Sequence, residues 1–179
     1  MSGPGGGLEE PRSHGAGAID VARPFGMVDE LFQQDLLEDH PAWMPLGQDE
    51  WMRPLVLNPV QGSWVSLFKV MRARVLGRHR HLSPVTGWTI SGAWGYRERD
   101  WIARAGSFIF EPAGDTHTLF VDEAAGHMVA VYHMYGPSLS IDERGEVTDY
   151  TDVTKRTEQY LKHCKSVGLG EAFVRGIIR

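Results

Sequence analysis

Between residues 51 and 135 the apolar positions come in short runs rich in Val, Ile, Phe, Trp and Tyr. Gly, Pro, Asn or Asp breaks them about every eight to twelve residues. That texture predicts strands, because β-branched and aromatic side chains suit a pleated, half-buried surface. Candidate strands cover 55–57, 64–74, 87–91, 93–97, 107–111, 117–121 and 127–135. Turns are placed at N-P-V-Q-G, L-S-P, S-G, E-R-D, A-G, E-P-A-G-D and D-E-A-A-G. Strands this closely spaced leave no room for crossover helices, which excludes a doubly wound parallel sheet. The expected core is an all-β antiparallel barrel or sandwich over about residues 51–150.

Helical spacing is confined to the flanks. Over residues 27–37, Val28, Leu31, Phe32 and Leu36 predict a short helix. After a hairpin turned by I-D-E-R-G-E-V, Asp152 or Thr154 can cap a helix carrying Tyr160, Leu161 and Cys164 and ending near the glycine of S-V-G-L-G. Residues 171–178 predict a second, shorter helix, so the C-terminal helices span about 152–179. Residues 1–22, opening M-S-G-P-G-G-G, hold too little apolar surface to order themselves and read as a flexible tail. Residues 23–179 read as a single domain.

Composition narrows the class. The 179 residues are 42% hydrophobic and 23% charged, the balance of a soluble globular protein. A formal charge of −5 with scattered basic residues argues against a nucleic-acid partner. No run approaches the roughly eighteen apolar residues of a membrane span, and the N-terminus lacks a signal-peptide pattern, so a cytoplasmic location is expected. The single cysteine, Cys164, cannot form an internal disulfide and reads as a thiol packed on a helix.

The candidate chemistry starts at R-H-R-H, residues 78–81. If this stretch is extended, His79 and His81 point to one face and can meet one ion, although the pair alone also fits a solvated basic loop. The second piece is G-S-F-I-F-E-P-A-G-D-T-H, where two strands and a tight turn can return His117 to the barrel interior opposite the first two. Together they favour a metal site. Among the other histidines, His14, His40 and His163 have no partner at ligand spacing, and His133 reads as a structural histidine near the end of the barrel.

The spacing G-x5-P-x-G-x2-H, from Gly106 through Pro112 and Gly114 to His117, matches the second signature of the cupin superfamily. Of the first signature only His79 and His81 are present. Ala73 stands for its leading glycine, Val85 or Thr86 for its glutamate, and Val121 for the asparagine that often closes the second. The chain therefore resembles a cupin, an antiparallel jelly roll, with three histidine ligands and no metal carboxylate. Within cupins it resembles the 2,4'-dihydroxyacetophenone dioxygenases from about Leu55 to the end, through R-H-R-H, Trp94 to Tyr96, F-E-P-A-G-D-T-H-T-L and the closing V-G-L-G-E-A-F-V-R-G-I-I-R. The β-diketone-cleaving dioxygenases are a more distant likeness.

That resemblance implies iron(II), with Zn, Ni or Mn as alternatives, and a small aromatic ketone and O2 as reactants. It implies cleavage of the bond between the carbonyl and hydroxymethyl carbons of an α-hydroxyketone. Glu111 occupies the place where the diketone-cleaving relatives carry a glutamate beside the metal, as a base or as support for a ligand histidine. Its alternative is an exposed glutamate at a strand end. If the strand keeps its alternation past the turn, Thr86 and Trp88 share the metal's face and form an apolar wall, with Tyr96 a weaker pocket candidate. By analogy a homodimer or a dimer of dimers is expected. Two rival readings are a β-diketone dioxygenase and a non-catalytic sensor of the kind formed by the zinc-binding cupin part of anti-sigma factors.

Overall fold

The computed structural model describes residues 24–179. Leu31–Arg179 form one compact unit, and the described residues of the preceding unit, 24–30, are exposed and carry no helix or strand. The tail expected over residues 1–22 lies outside the described residues.

Eleven strands and two helices follow within the described residues: β1 (Met44–Gly47), β2 (Glu50–Asn58), β3 (Ser63–Val70), β4 (Val75–His81), β5 (Val85–Tyr96), β6 (Ala103–Arg104), β7 (Phe108–Glu111), β8 (Thr116–Val121), β9 (Met128–Met134), β10 (Ser138–Ile141), β11 (Val147–Thr151), α1 (Val153–Ser166) and α2 (Gly170–Arg175). The pairing order is β1-β2-β3-β9-β5-β8-β4-β10-β11, with β6 and β7 also on β5, and every pairing between strands is antiparallel. The all-β architecture read from the sequence is thus the observed one.

The sheet curls because β5 belongs to both of its halves. Residues 85–88 pair with β7 and residues 85–92 with β9, whereas residues 94–96 pair with β8 and residues 93–94 with β6. The S-G pair inside this strand is not the turn its composition suggested. A register shift between Thr89 and Ser91 and a φ of 72° at Gly92 bend the strand without reversing it. Only glycine fits there, since a Cβ at position 92 would lie 2.0 Å from the His127 carbonyl oxygen.

Three clusters hold the unit together. Inside the curl, Trp94, Tyr96, Leu119, Val70 and Met128 are buried, and Trp94 Nε1 donates to Thr89 Oγ1 at 2.9 Å, so its one polar atom is satisfied. Each such side chain contributes on the order of 1.5–3 kcal/mol of burial. At one end, Leu57 and Trp64 pack against Val153, Tyr160 and Cys164 of α1 and Val174 of α2. Cys164 is a buried packing thiol, as its setting predicted, and burial pushes its pKa up. Helix α1 begins where Asp152 Oδ1 accepts from the Lys155 amide at 2.8 Å, an N-cap that satisfies one otherwise unpaired amide. Leu57 donates its amide to the Ile177 carbonyl and accepts from the Arg179 amide, both at 2.9 Å, tying the last residues to β2.

The third cluster overturns the N-terminal helix. No helix forms over residues 27–37. Leu36 packs with Trp43, Leu67 and Val129, the Leu36 carbonyl accepts from Arg53 Nη1 at 3.1 Å, and Gln33 Nε2 donates to the Leu55 carbonyl at 2.9 Å. Asp35 sits at φ 54°, outside helical geometry. Tertiary contacts to β2 and β3 replace the i→i−4 ladder that a brief periodic segment could not stabilise alone. Among the described residues no helix is long and apolar enough to cross a membrane.

Candidate metal site and cavity

Strand β4 is extended through R-H-R-H, so His79 and His81, two residues apart, share a face. The register of β4 on β8 sets His79 directly opposite His117. One nitrogen from each of the three rings lies within 4.8 Å of the others, and His79 Nε2 and His117 Nε2 are 3.1 Å apart. Two ligands at right angles on an ion with bonds of 2.0–2.1 Å are about 3 Å apart, so this spacing suits a shared cation. Burial, then the neighbouring His81 and His117, pushes the pKa of His79 down to about 4, and burial also lowers that of His117. Both rings are therefore neutral near pH 7 and can offer a lone pair. His81 Nδ1 is buried with no hydrogen-bond partner. An all-imidazole donor set of this kind suits iron, zinc or nickel better than a metal that prefers oxygen.

Further groups fix the rings. The His79 Nδ1 lies 3.1 Å from the Gly77 carbonyl oxygen, and His117 Nδ1 lies 3.4 Å from Asp115 Oδ2. Arg99 Nη2 in turn donates to Asp115 Oδ2 at 2.7 Å. Asp115, two residues before the ligand in A-G-D-T-H, was not singled out from the sequence, although a carboxylate at that spacing on a turn is placed to orient an imidazole.

Glu111 closes β7 and is 3% exposed, which excludes the solvent-facing alternative. Its Oε2 lies 3.2 Å from His81 Nε2 and 3.4 Å from His117 Nε2, and its Oε1 accepts from the Tyr96 hydroxyl at 2.5 Å. Burial raises the Glu111 pKa, but the close contact with His81 and the hydrogen bond from Tyr96 outweigh it, leaving the carboxyl below its usual value and ionised at neutral pH. Burial, then Glu111, pushes the Tyr96 phenol well up, so it stays a donor.

The cluster opens on a cavity of about 480 Å³, within the size range of small-molecule sites. His79, His81, Glu111 and Tyr96 line it, together with apolar groups that include Trp64 and Phe68. Thr86 and Trp88 do not. The inward positions of β5 are Val85, Gly87 and Thr89, so the parity assumed across the L-S-P turn is off by one. Trp88 is half exposed on the outer face, 4.8 Å from the Phe108 ring, and Thr86 pairs there with Phe110 and His133. Sequence reasoning also missed Ser66, Tyr132, Glu50 and Arg156 in the lining. The alternation W-x-S-x-F marks the face of Ser66, whereas nothing local marks Arg156, which a helix delivers to the cavity.

Residues 36–135 match the family described as the ChrR cupin-like domain. The chain belongs to that cupin family. No curated protein matches this cupin. Among solved structures it is similar to an RmlC-like cupin protein of Ralstonia eutropha, at 29% identity and TM-score 0.67 over 70% of this chain and 83% of that one. A second Ralstonia eutropha protein with a cupin-like fold shares 22% identity and TM-score 0.64 over 76% of this chain and 90% of the other. An acetylacetone dioxygenase from Acinetobacter johnsonii shares 18% identity and TM-score 0.67 over 81% and 99%, a likeness of fold.

Proposed function

We propose that this cupin is a non-haem iron(II) dioxygenase that cleaves the carbon–carbon bond of an aromatic α-hydroxyketone with O2, giving an aromatic carboxylic acid and formate. The observation that carries the reading is a set of three converging imidazoles, with the Glu111 carboxylate beside two of them, at the wall of a largely apolar cavity. A site of neutral ligands leaves a divalent ion its full charge, which favours a substrate that chelates through two oxygens and can lose a proton. His79, His81 and His117 would hold the ion. When bound, it would supply a Lewis-acidic, redox-active centre for the reaction of substrate with dioxygen.

The chain's own groups do the rest. Glu111, ionised and 3.2 Å from His81, would take the proton from the carbon that carries the substrate hydroxyl, and the Tyr96 hydroxyl holds its carboxylate. Apolar side chains such as Trp64, Phe68 and Leu119 bind the ring and keep water from the deprotonated substrate. The overall balance is one ketone and one O2 consumed for one carboxylic acid and one formic acid.

A β-diketone substrate is the second reading, favoured by the fold likeness to the acetylacetone dioxygenase. A metal-binding sensor without turnover is the remaining reading, since the same three histidines could hold an ion. The deciding experiment measures metal content by elemental analysis on anaerobically prepared protein, then oxygen uptake with 2-hydroxyacetophenones and with acetylacetone. Uptake with release of formate from the hydroxyketones supports the leading reading. Uptake with acetylacetone alone selects the second, and a metal-loaded protein inert to both selects the sensor.

A further inference from the structure

Among the described residues Arg156 is the buried arginine of the cavity wall, and the proposed chemistry does not use it. It sits in the first turn of α1, is 9% exposed, and lines the same cavity as His79, His81 and Glu111. Among the described residues its side chain makes one hydrogen bond, from Nη1 to the neutral Gln159 Oε1 at 3.2 Å, and its Nε is buried with no partner. Glu50, also in the lining, acts on it through space without forming a salt bridge. Burial, opposed by Glu50, pushes the guanidinium pKa down to about 10, which leaves it charged at neutral pH. A buried, unpaired guanidinium is costly and offers up to five donors in a planar fork suited to an oxyanion.

Two more orphaned groups face the same space. Ser66 Oγ and Tyr132 Oη are buried without partners, line the cavity, and stand directly opposite each other across the β3–β9 pairing. Along with Arg156 they leave hydrogen-bond donors waiting for acceptors that no protein group supplies.

Strand register gives the backbone distance from the histidines to the start of α1, whose first turn carries Arg156. Ser138 pairs with His81 on one side and Thr151 on the other, so Thr151, just before α1, is two strand spacings from the metal ligand. At about 4.8 Å per spacing that is roughly 10 Å, the scale of a small aromatic molecule. We infer that Arg156 reads an ionised carboxylate or phenolate on the end of the ligand remote from the histidines, making this a cavity for anionic aromatic ketones. The inference extends the proposed function by giving the substrate an acidic substituent, and it is testable through binding alone.

The test is calorimetric titration of the metal-loaded protein with 4-acetylbenzoate and with its neutral counterpart 4-acetylbenzamide. Wild type is expected to prefer the anion by about ten- to a hundredfold, the effect of a charge-assisted hydrogen bond. In Arg156→Met the ratio falls to about one while the amide keeps its affinity, because only the charge contact is lost. Equal binding of the two ligands by wild type overturns the inference without recourse to any variant, as does an anion preference that survives in Arg156→Met. Oxygen uptake in parallel separates the two proposals. Turnover of neutral 2-hydroxyacetophenone with no anion preference keeps the function and removes the role of Arg156. An anion preference with no turnover of any ketone does the opposite.

Discussion

Tyr96 lies flat on His117, ring centroids 3.7 Å apart and planes 11° apart, while its hydroxyl donates to Glu111. One side chain therefore sets both the tilt of a candidate ligand and the position of the candidate base. Tyr96→Phe keeps the stacked ring and removes the donor, leaving a buried carboxylate oxygen one bond short, at a cost of about 1–3 kcal/mol. A lower thermal midpoint with metal content unchanged is the expected result, read by calorimetry and elemental analysis.

Removing a candidate metal ligand separates binding from folding. His117→Ala deletes a fully buried ring and is expected to cost about 3 kcal/mol while the barrel still forms. After loading with iron(II), the variant should retain almost none of the metal that wild type holds. Stoichiometric iron in the folded variant would show that the ion sits elsewhere.

Glu111→Gln keeps the shape and the contact with Tyr96 but loses the charge that accepts a proton. Turnover should fall by about 10²- to 10⁴-fold with iron retained, measured by oxygen uptake and elemental analysis. Rates equal to wild type would return Glu111 to a purely structural part.

Trp88 provides a control. Because it points away from the cavity beside Phe108, Trp88→Ser should leave metal content, ligand affinity and turnover at wild-type values. A loss of ligand affinity in that variant would restore the wall that the sequence suggested.

Gly92→Ala probes the bend of β5. An added methyl would meet the His127 carbonyl oxygen at 2.0 Å in a left-handed backbone, so a destabilisation beyond about 1 kcal/mol is expected in chemical denaturation.

What the sequence made legible depended on how local the signal was. Strand texture and the spacing from Gly106 to His117 gave the fold and brought the three histidines into view, because period-two alternation and turn glycines are local rules. Where a reading needed a count carried across a break, it failed. Thr86 and Trp88 were placed on the wrong face by one residue of parity, and the S-G pair was taken for a reversal where the strand only bends. The helix expected over 27–37 yielded to contacts from β2 and β3 that no local pattern announces. Arg156 was invisible for the same reason, since its place on the cavity wall comes from the docking of α1 on the barrel end.

The pairing of His79 with His117 joins strands 38 residues apart in the chain, and the third donor follows two residues later on β4. A slip of one position between β4 and β8 would turn alternate side chains to the opposite face and scatter the donors. An ion that binds only the aligned ladder adds its affinity to that alignment alone. An ion held there would thus act as a clasp on a barrel that closes without it, and the loaded protein should melt at a higher temperature than the metal-free one.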